Sequence, residues 1–194
     1  NIKNIVVLSG LNDTFLFANN KIRKNFPGPI YWNNQFSNTM NNLSKNFKTK
    51  FKDYFYTFSQ KSNENRLNVD LNEVIGRNFN IWNTIGKGLN CKVYFFLQPY
   101  LFWSKDHSVE EKMISEYTNT RSDKIVYDNV NKSYDSVREV FKKACFENNI
   151  TFFDTNEHFK NNYTKNDWLF IDNVHLNDNG NLAIKKFIKE NIIL

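Results

Sequence analysis

The sequence has few of the residues that build cross-linked, metal-bound or membrane-embedded proteins. Its 194 residues include only two cysteines and three histidines. Cys91 and Cys145 each have apolar neighbours, so we expect ordinary core thiols. The chain has no zinc-ligand spacing, no phosphate-binding glycine loop and no apolar run near the roughly 18 residues that cross a bilayer. We therefore expect no metal, no cofactor and no membrane span.

The length and charge of the chain favour one folded domain, 1–194, with no nucleic-acid partner. The formal net charge is +6, but lysines are scattered among Asp and Glu along most of the chain. The densest basic stretch, Lys45 to Lys52, alternates with Phe47 and Phe51. We interpret it as the solvent-facing side of a core helix, with a membrane-surface helix as the alternative. No signal peptide opens the chain, but because it begins without Met and almost at once with a predicted strand, this says nothing about compartment.

Three runs rich in β-branched and aromatic residues predict the strands of a parallel sheet. They span residues 2–8, 92–97 and 150–154. Apolar residues spaced three or four apart predict helices. These helices cover residues 33–58, 67–89, 110–117, 131–148 and 179–192. Strands that alternate with helices indicate β-α-β units, in which functional residues lie at the carboxyl ends of the strands.

Glycine, proline and asparagine residues indicate where loops and helix ends are expected between the predicted elements. We expect a loop through Pro27-Gly28-Pro29, a helix stop at Gly86 and Gly88, and an exposed loop after residue 154. In the last helix, four apolar residues are expected to face inward: Leu182, Ile184, Phe187 and Ile188.

The segment from Phe170 to Asn181 carries the strongest functional signal. Asp172 lies three residues before His175, on an irregular stretch that leads into the last predicted helix. The carboxylate can accept a hydrogen bond from Nδ1–H of the imidazole, which leaves Nε2 ready to take a proton from a hydroxyl. Asn177 or Asp178 can then cap the helix. A surface histidine beside an aspartate is the plain alternative, but the neighbourhood favours a catalytic base.

A second signal follows the first strand, at Gly10-Leu11-Asn12-Asp13. Here Gly10 would let the backbone approach a bound acyl group, and the side-chain amide of Asn12 would donate to a developing oxyanion. Asp13 would brace the turn. The plain alternative is an Asx-type turn that ends a strand.

The remaining histidines and tryptophans are weaker candidates. His107 and His158 lie in charged stretches without a partner at useful spacing, so we expect surface histidines. Trp32, Trp103 and Trp168 could offer flat faces to a sugar ring or an acyl chain, with core packing as the alternative. Trp103 and Trp168 fall on loops near the expected site, whereas Trp82 is expected in the core.

The two motifs together resemble the SGNH, or GDSL-type, hydrolases, which are named for Ser, Gly, Asn and His in conserved blocks. Residues 7–13 are similar to the third block, with Asn12 at the oxyanion Asn, and residues 172–176 followed by Gly180 are similar to the fifth. The strand that ends at Gln98-Pro99 resembles the family's fourth strand. The resemblance implies a flavodoxin-like three-layer α/β/α sandwich with a parallel sheet. It also implies a serine esterase or O-acyl transferase that acts on small acyl esters, with acetyl groups on glycans as the first expectation.

The chain departs from the family in one respect, because the first two strands and the Ser block are absent. Ser9 lies inside the third block and is not favoured as the nucleophile. We expect the nucleophilic Ser on an N-terminal segment that is cleaved, carried on another chain or outside this sequence. That segment would also pair with the open edge of the first strand.

Two other functions stay open. One is a non-catalytic SGNH-like module that covers its own sheet edge, lacks the nucleophile and binds a glycan or a protein. The other is an anion-binding module built on Lys45 to Lys52.

Overall fold

The computed structural model describes residues 2–18, 70–121 and 124–192. The predicted helix 33–58, the basic stretch Lys45 to Lys52, the loop through Pro27-Gly28-Pro29 and Trp32 all lie outside these ranges. The described part is an α/β fold. Its elements are β1 (Asn4–Ser9), α1 (Leu11–Ala18), α2 (Leu71–Leu89), β2 (Lys92–Leu97), a 3₁₀ turn (Leu101–Trp103), α3 (Val109–Asn119), α4 (Lys124–Lys132), α5 (Tyr134–Glu147), β3 (Thr151–Asp154), α6 (Thr155–Asn162) and α7 (Asp178–Asn191).

The three described strands form one small parallel sheet in the order β1-β2-β3. Leu8 of β1 is in register with Phe96 of β2, and Phe96 is in register with Phe153 of β3. The predicted strands and their parallel pairing are therefore confirmed, with the bounds of β2 as predicted. Since all three strands run the same way, their carboxyl ends meet at one edge of the sheet.

Helices cover both faces of this sheet, an arrangement compatible with a three-layer α/β/α fold. On one face, Phe95 of β2 stacks on Phe141 of α5, with ring centroids 5.3 Å apart. On the other face, Phe96 meets Phe187 of α7 edge to face at 5.6 Å. Parallel strands buried in this way read as continuous apolar runs, as β2 does.

The edge of the sheet at β1 carries exposed apolar side chains. Among the described residues, β1 pairs with β2 only. Val6 and Leu8 are 40% and 41% exposed, although their register partners Tyr94 and Phe96 are buried. An edge strand with exposed β-branched and apolar residues is a place where another strand can pair.

Helix α2 ends at Leu89 as predicted, but not through the glycines that were expected to stop it. The helix begins after Asp70, whose side chain accepts a hydrogen bond from the backbone N–H of Asn72, and its C-cap is Asn90, whose φ of 49° lies in the left-handed region. Gly86 and Gly88 lie inside the helix and do not end it. A Cβ on Gly86 would lie 2.7 Å from Cγ2 of Val93, so this glycine lets the helix approach β2 closely.

The predicted helix 131–148 is confirmed as α5, although its first two residues belong to the separate helix α4, which was not predicted. One connection was predicted wrongly. The stretch after β3 is the helix α6, not an exposed loop, because the side chain of Asp154 accepts from the backbone N–H groups of Asn156 and Glu157 and starts a new helix at once.

The inward face of α7 is partly as predicted. Ile184 is buried, and Phe187 and Ile188 pack against buried residues. Leu182, also predicted inward, is 59% exposed, and Ala183 takes the buried position. No helix in the described ranges combines the length and the apolar content that a membrane crossing requires.

Candidate active site

Asp172 and His175 lie on a tight loop that closes on itself. Phe170 and Leu176 form an antiparallel β-bridge, and the backbone N–H of Ile171 donates to the carbonyl of His175 at 2.9 Å. Inside this closed loop, Oδ1 of Asp172 accepts from the backbone N–H groups of Val174 and His175, each at 2.7 Å. The aspartate is therefore fixed by its own neighbours in sequence, as Asx turns are.

The other carboxylate oxygen makes the predicted contact with the imidazole. Nδ1 of His175 lies 2.7 Å from Oδ2 of Asp172. Burial raises the pKa of Asp172, but hydrogen bonds from the backbone and side chain of His175 and from the backbone of Val174 outweigh it and lower the pKa below its ordinary value of 3.8. An ionised carboxylate can only accept, so Nδ1 carries the proton and Nε2 is left as the basic nitrogen.

Both side chains of this acid–base pair are exposed to solvent. The side chain of His175 is 73% exposed and that of Asp172 is 53% exposed. Solvent therefore reaches both groups in the described part of the chain.

The loop is anchored to two other elements through Asn173. Its carbonyl accepts from the backbone N–H of Leu101 at 3.0 Å, and its Oδ1 accepts from the hydroxyl of Thr118 at 2.9 Å. Asn173 and Thr118 are buried. Sequence reasoning missed this contact, because Asn173 was given no role within the Asp/His motif, Thr118 belongs to no motif, and the two positions are 55 apart.

The helix that follows the loop is capped as predicted and fits closely against it. Oδ1 of Asn177 accepts from the backbone N–H of Gly180 at 2.9 Å, so Asn177 is the cap, not Asp178. A Cβ on Gly180 would lie 2.4 Å from the carbonyl oxygen of Leu169. The glycine after the Asp/His motif therefore lets α7 lie directly against the segment before Asp172.

Gly10 and Asn12 lie at the carboxyl end of β1, but only Gly10 lies in a turn, because Asn12 is in a helix. Helix α1 starts at Leu11, so Asn12 is in its first turn and is exposed. Gly10 has a φ of 109°, and a Cβ there would lie 2.9 Å from Cδ1 of Leu97 and 3.0 Å from Cζ of Phe141. A side chain is thus excluded at Gly10 by both conformation and space.

The turn at Gly10 is closed by a different residue from the one predicted. The hydroxyl of Thr14 donates to the carbonyl of Gly10 at 2.8 Å, whereas Asp13 was expected to brace the turn. Burial raises the pKa of Asp13. Ser9 is the last residue of β1, and its carbonyl accepts from the backbone N–H of Gln98 at 2.8 Å.

The segment after β2 connects the two motifs. Phe15 of α1 meets Tyr100 edge to face, with ring centroids 5.6 Å apart, and the next residue, Leu101, hydrogen-bonds Asn173 of the Asp/His loop. The two motifs from opposite ends of the chain therefore lie at the same edge of the sheet, on either side of residues 98–103. That is the edge at which ligands bind in open parallel sheets.

The other two histidines are less exposed than predicted. His107 is half-buried beside Phe102, with ring centroids 5.5 Å apart, and burial lowers its pKa. His158 stacks on Phe187 at 3.9 Å, and burial lowers its pKa as well. Both are packing residues rather than plain surface histidines.

The tryptophans divide between the core and the surface. Trp103, predicted near the site, is buried, and its Nε1–H donates to the carbonyl of Val130. Trp82 packs against the core as predicted. Trp168 remains 42% exposed, and its Nε1–H donates to the carbonyl of Phe170, just before the Asp/His loop.

The two cysteines are unpaired, and the acidic residues of the described ranges form no metal cluster with them. Cys145 is buried and Cys91 is partly exposed, and both are free thiols. Within residues 2–18, 70–121 and 124–192, no group of three or more His, Cys, Asp and Glu side chains is placed to hold a metal ion.

A cavity of about 1080 Å³ lies away from the two motifs, at the amino ends of the strands, where Lys3, Lys87 and Lys92 line it. We place the candidate site at the opposite edge, because the groups that can move a proton are there.

No model of a known protein family matches the chain, and no curated protein matches it. The resemblance to SGNH hydrolases therefore depends on the residues and geometry of the two motifs.

Proposed function

We propose that the chain supplies the acid–base part of a serine esterase or O-acyl transferase with the flavodoxin-like SGNH fold. The observation that carries the proposal is the 2.7 Å contact between Nδ1 of His175 and Oδ2 of Asp172. In the reaction, Nε2 of His175 takes the proton of a serine hydroxyl as that hydroxyl attacks an ester carbonyl. It returns the proton to the departing alcohol oxygen, while Asp172 holds the imidazole in the required tautomer.

Asn12 and Gly10 are proposed to form the oxyanion hole. Asn12 is exposed in the first turn of α1, so its amide can donate to the oxygen that becomes negative in the tetrahedral intermediate. The space that a Cβ on Gly10 would take is filled by Leu97 and Phe141 in the core, so the proposed part of Gly10 belongs to its backbone. Loss of one such donor typically costs about 2.7 to 4 kcal/mol in the transition state.

The nucleophile is proposed to come from an N-terminal segment outside this chain. Among the described residues β1 pairs with β2 only, and Val6 and Leu8 are exposed. These observations support the proposal, because a strand carrying the serine could pair at that edge. The proposed substrates are small acyl esters, with acetylated glycans as the first class to test. The exposed face of Trp168, near the Asp/His loop, suits a sugar ring.

A second function is favoured by the openness of the site. With His175 73% exposed and Asp172 53% exposed, the described residues do not enclose the pair as ester hydrolysis usually requires. A non-catalytic module that binds a glycan or a protein through this edge needs no enclosure and no nucleophile.

One experiment separates these two functions. The gene sequence upstream of Asn1 is first examined for a segment that encodes a strand followed by Gly-Asp-Ser. The complete gene product is then treated with a fluorophosphonate probe. We expect one adduct, on a serine outside the 194 residues described here. Asp172→Asn should slow the labelling on the order of 10⁴-fold, because the imidazole then adopts the wrong tautomer.

The matched control is Asp178→Asn, which makes the same charge change six residues later at an exposed position. It should label at the wild-type rate. Folded complete protein that takes up no probe would rule out the enzyme and favour the binding module. Labelling that proceeds equally well without His175 would rule out His175 as the base.

A further inference from the structure

A buried carboxylate in α3 connects that helix to the Asp/His loop. Ser108 and Glu111 form a capping box at the start of α3, and Glu111 is completely buried. Oε2 of Glu111 accepts from Nζ of Lys105 at 2.7 Å and from the backbone N–H of Ser108 at 2.9 Å. A capping box explains the bond to Ser108 but not the rest.

The second oxygen of Glu111 reaches the segment that precedes Asp172. Oε1 accepts from the backbone N–H of Leu169 at 2.8 Å and from that of Phe170 at 3.2 Å. Phe170 is the residue whose β-bridge with Leu176 closes the loop around Asp172. One carboxylate therefore holds the base of the loop.

The same helix holds the loop at a second point. Thr118, two turns further along α3, donates to Oδ1 of Asn173 in the middle of the loop. The helix thus contacts the loop at its base through Glu111 and at its tip through Thr118. The loop cannot shift against α3 without breaking these bonds.

A contribution to fold stability does not by itself explain why Lys105 and Glu111 form a buried ion pair. The side chains of Lys105 and Glu111 are 1% and 0% exposed. Removing two charges from water is costly, and apolar residues of similar size in place of a buried ion pair are often as stabilising or more so. What an apolar pair cannot do is accept hydrogen bonds from Leu169 and Phe170.

We propose that Glu111 is a positioning residue, which holds the backbone of Leu169 and Phe170 so that Asp172 and His175 keep their hydrogen-bonded geometry. Lys105 neutralises the buried carboxylate and leaves Oε1 to the loop. This inference rests on the proposed function, since it assigns Glu111 a role in presenting the base of that reaction.

The test reads the tautomer of His175 directly by ¹⁵N NMR of the imidazole in the 194-residue chain, at about pH 8, above the range in which histidines usually titrate. In the unaltered chain we expect the proton on Nδ1. In Glu111→Gln, we expect the ratio of Nδ1–H to Nε2–H to fall by about tenfold, the change that corresponds to the loss of about one hydrogen bond. A residue that only stabilised the fold would leave the ratio unchanged in protein that remains folded by circular dichroism.

The matched control is Glu110→Gln, next to Glu111 in the same turn, where the exposed side chain accepts only from the Ser108 hydroxyl among the described contacts. It should leave the tautomer unchanged. The double variant Glu111→Gln/Lys105→Met should restore it, because the buried ammonium is gone and the Gln oxygen can again accept from Leu169 and Phe170.

The remaining outcomes decide the proposal whether or not the single variant folds. Glu111→Leu/Lys105→Met keeps the volume and removes the acceptor, so a folded protein with the Nδ1–H tautomer intact would overturn the positioning role. If the unaltered chain itself carries the proton on Nε2, both this inference and the proposed function are wrong. A changed tautomer in Glu111→Gln, together with complete protein that takes up no fluorophosphonate, would support the positioning of the pair and reject the enzyme.

Discussion

Replacing Gly180 by alanine tests how closely α7 packs against the segment that leads to Asp172. A Cβ at this position would lie 2.4 Å from the carbonyl oxygen of Leu169 and 2.9 Å from Cδ2 of Leu176. The nearest atom belongs to the backbone, so it cannot move aside as the end of a flexible side chain could. The same carbonyl accepts from the backbone N–H of Asn177 at 2.9 Å, so a shift there also disturbs the helix cap.

The size of the effect follows from three contributions. Overpacking a closely packed site costs about 1 to 3 kcal/mol. The strained hydrogen bond to Asn177 costs about 1 kcal/mol more. Alanine is better than glycine inside a helix by about 1 kcal/mol, which offsets part of this. We expect Gly180→Ala to lower the free energy of unfolding by about 1 to 3 kcal/mol.

Gly76→Ala is the matched control, because Gly76 lies inside α2 and an added Cβ would have nothing within 4 Å. That variant should gain up to about 1 kcal/mol from helix propensity alone. Urea unfolding followed by circular dichroism measures both variants. Equal effects at the two glycines would refute the close approach of α7 to Leu169.

Two further predictions concern single titratable groups. Because the folded-state pKa of Asp172 is lowered, its contribution to stability is present above the ordinary carboxyl value of 3.8 and is lost as the pH falls through the folded pKa. Urea unfolding therefore compares the unaltered chain with Asp172→Asn at about pH 6 and at about pH 3, and the difference in free energy of unfolding should be smaller at the lower pH. An equal difference at both pH values would contradict the hydrogen bonds to Asp172. Burial raises the pKa of the Cys145 thiol, and its side chain is not exposed. A thiol reagent should label Cys91 in the native protein and Cys145 only after unfolding, and equal native rates would disagree with the buried position.

The sequence was sufficient for features that depend on neighbouring residues. After Lys92, the residues of β2 are buried and largely apolar because helices cover both faces of the strand, so its bounds could be predicted. The contact between Asp172 and His175 and the cap at Asn177 each join residues three apart, so a tight loop and a helix start were enough to expect them. The break between α4 and α5 at Ser133 shows the limit, because apolar spacing continues across a break that it does not encode.

Predictions from the local sequence pattern were wrong for residues whose surroundings depend on the tertiary fold. Asn12 was expected on a loop, but α1 begins one residue earlier, at Leu11. Leu182 fits the apolar spacing of α7 and yet faces solvent, because packing against the sheet and the Asp/His loop decided which residues are covered.

What the sequence by itself determined is therefore the set of strands and the hydrogen-bonded pair of Asp172 and His175. The tertiary structure decided which residues hold that pair in place. The capping box at Ser108 and Glu111 is readable from sequence, but the contact from Glu111 to Leu169 joins residues 58 positions apart. The carboxylate of Glu111 lies in the first turn of one helix and accepts hydrogen bonds from a distant segment. Packing of the core brings the two to the same edge of the sheet, and no local sequence pattern predicts this contact.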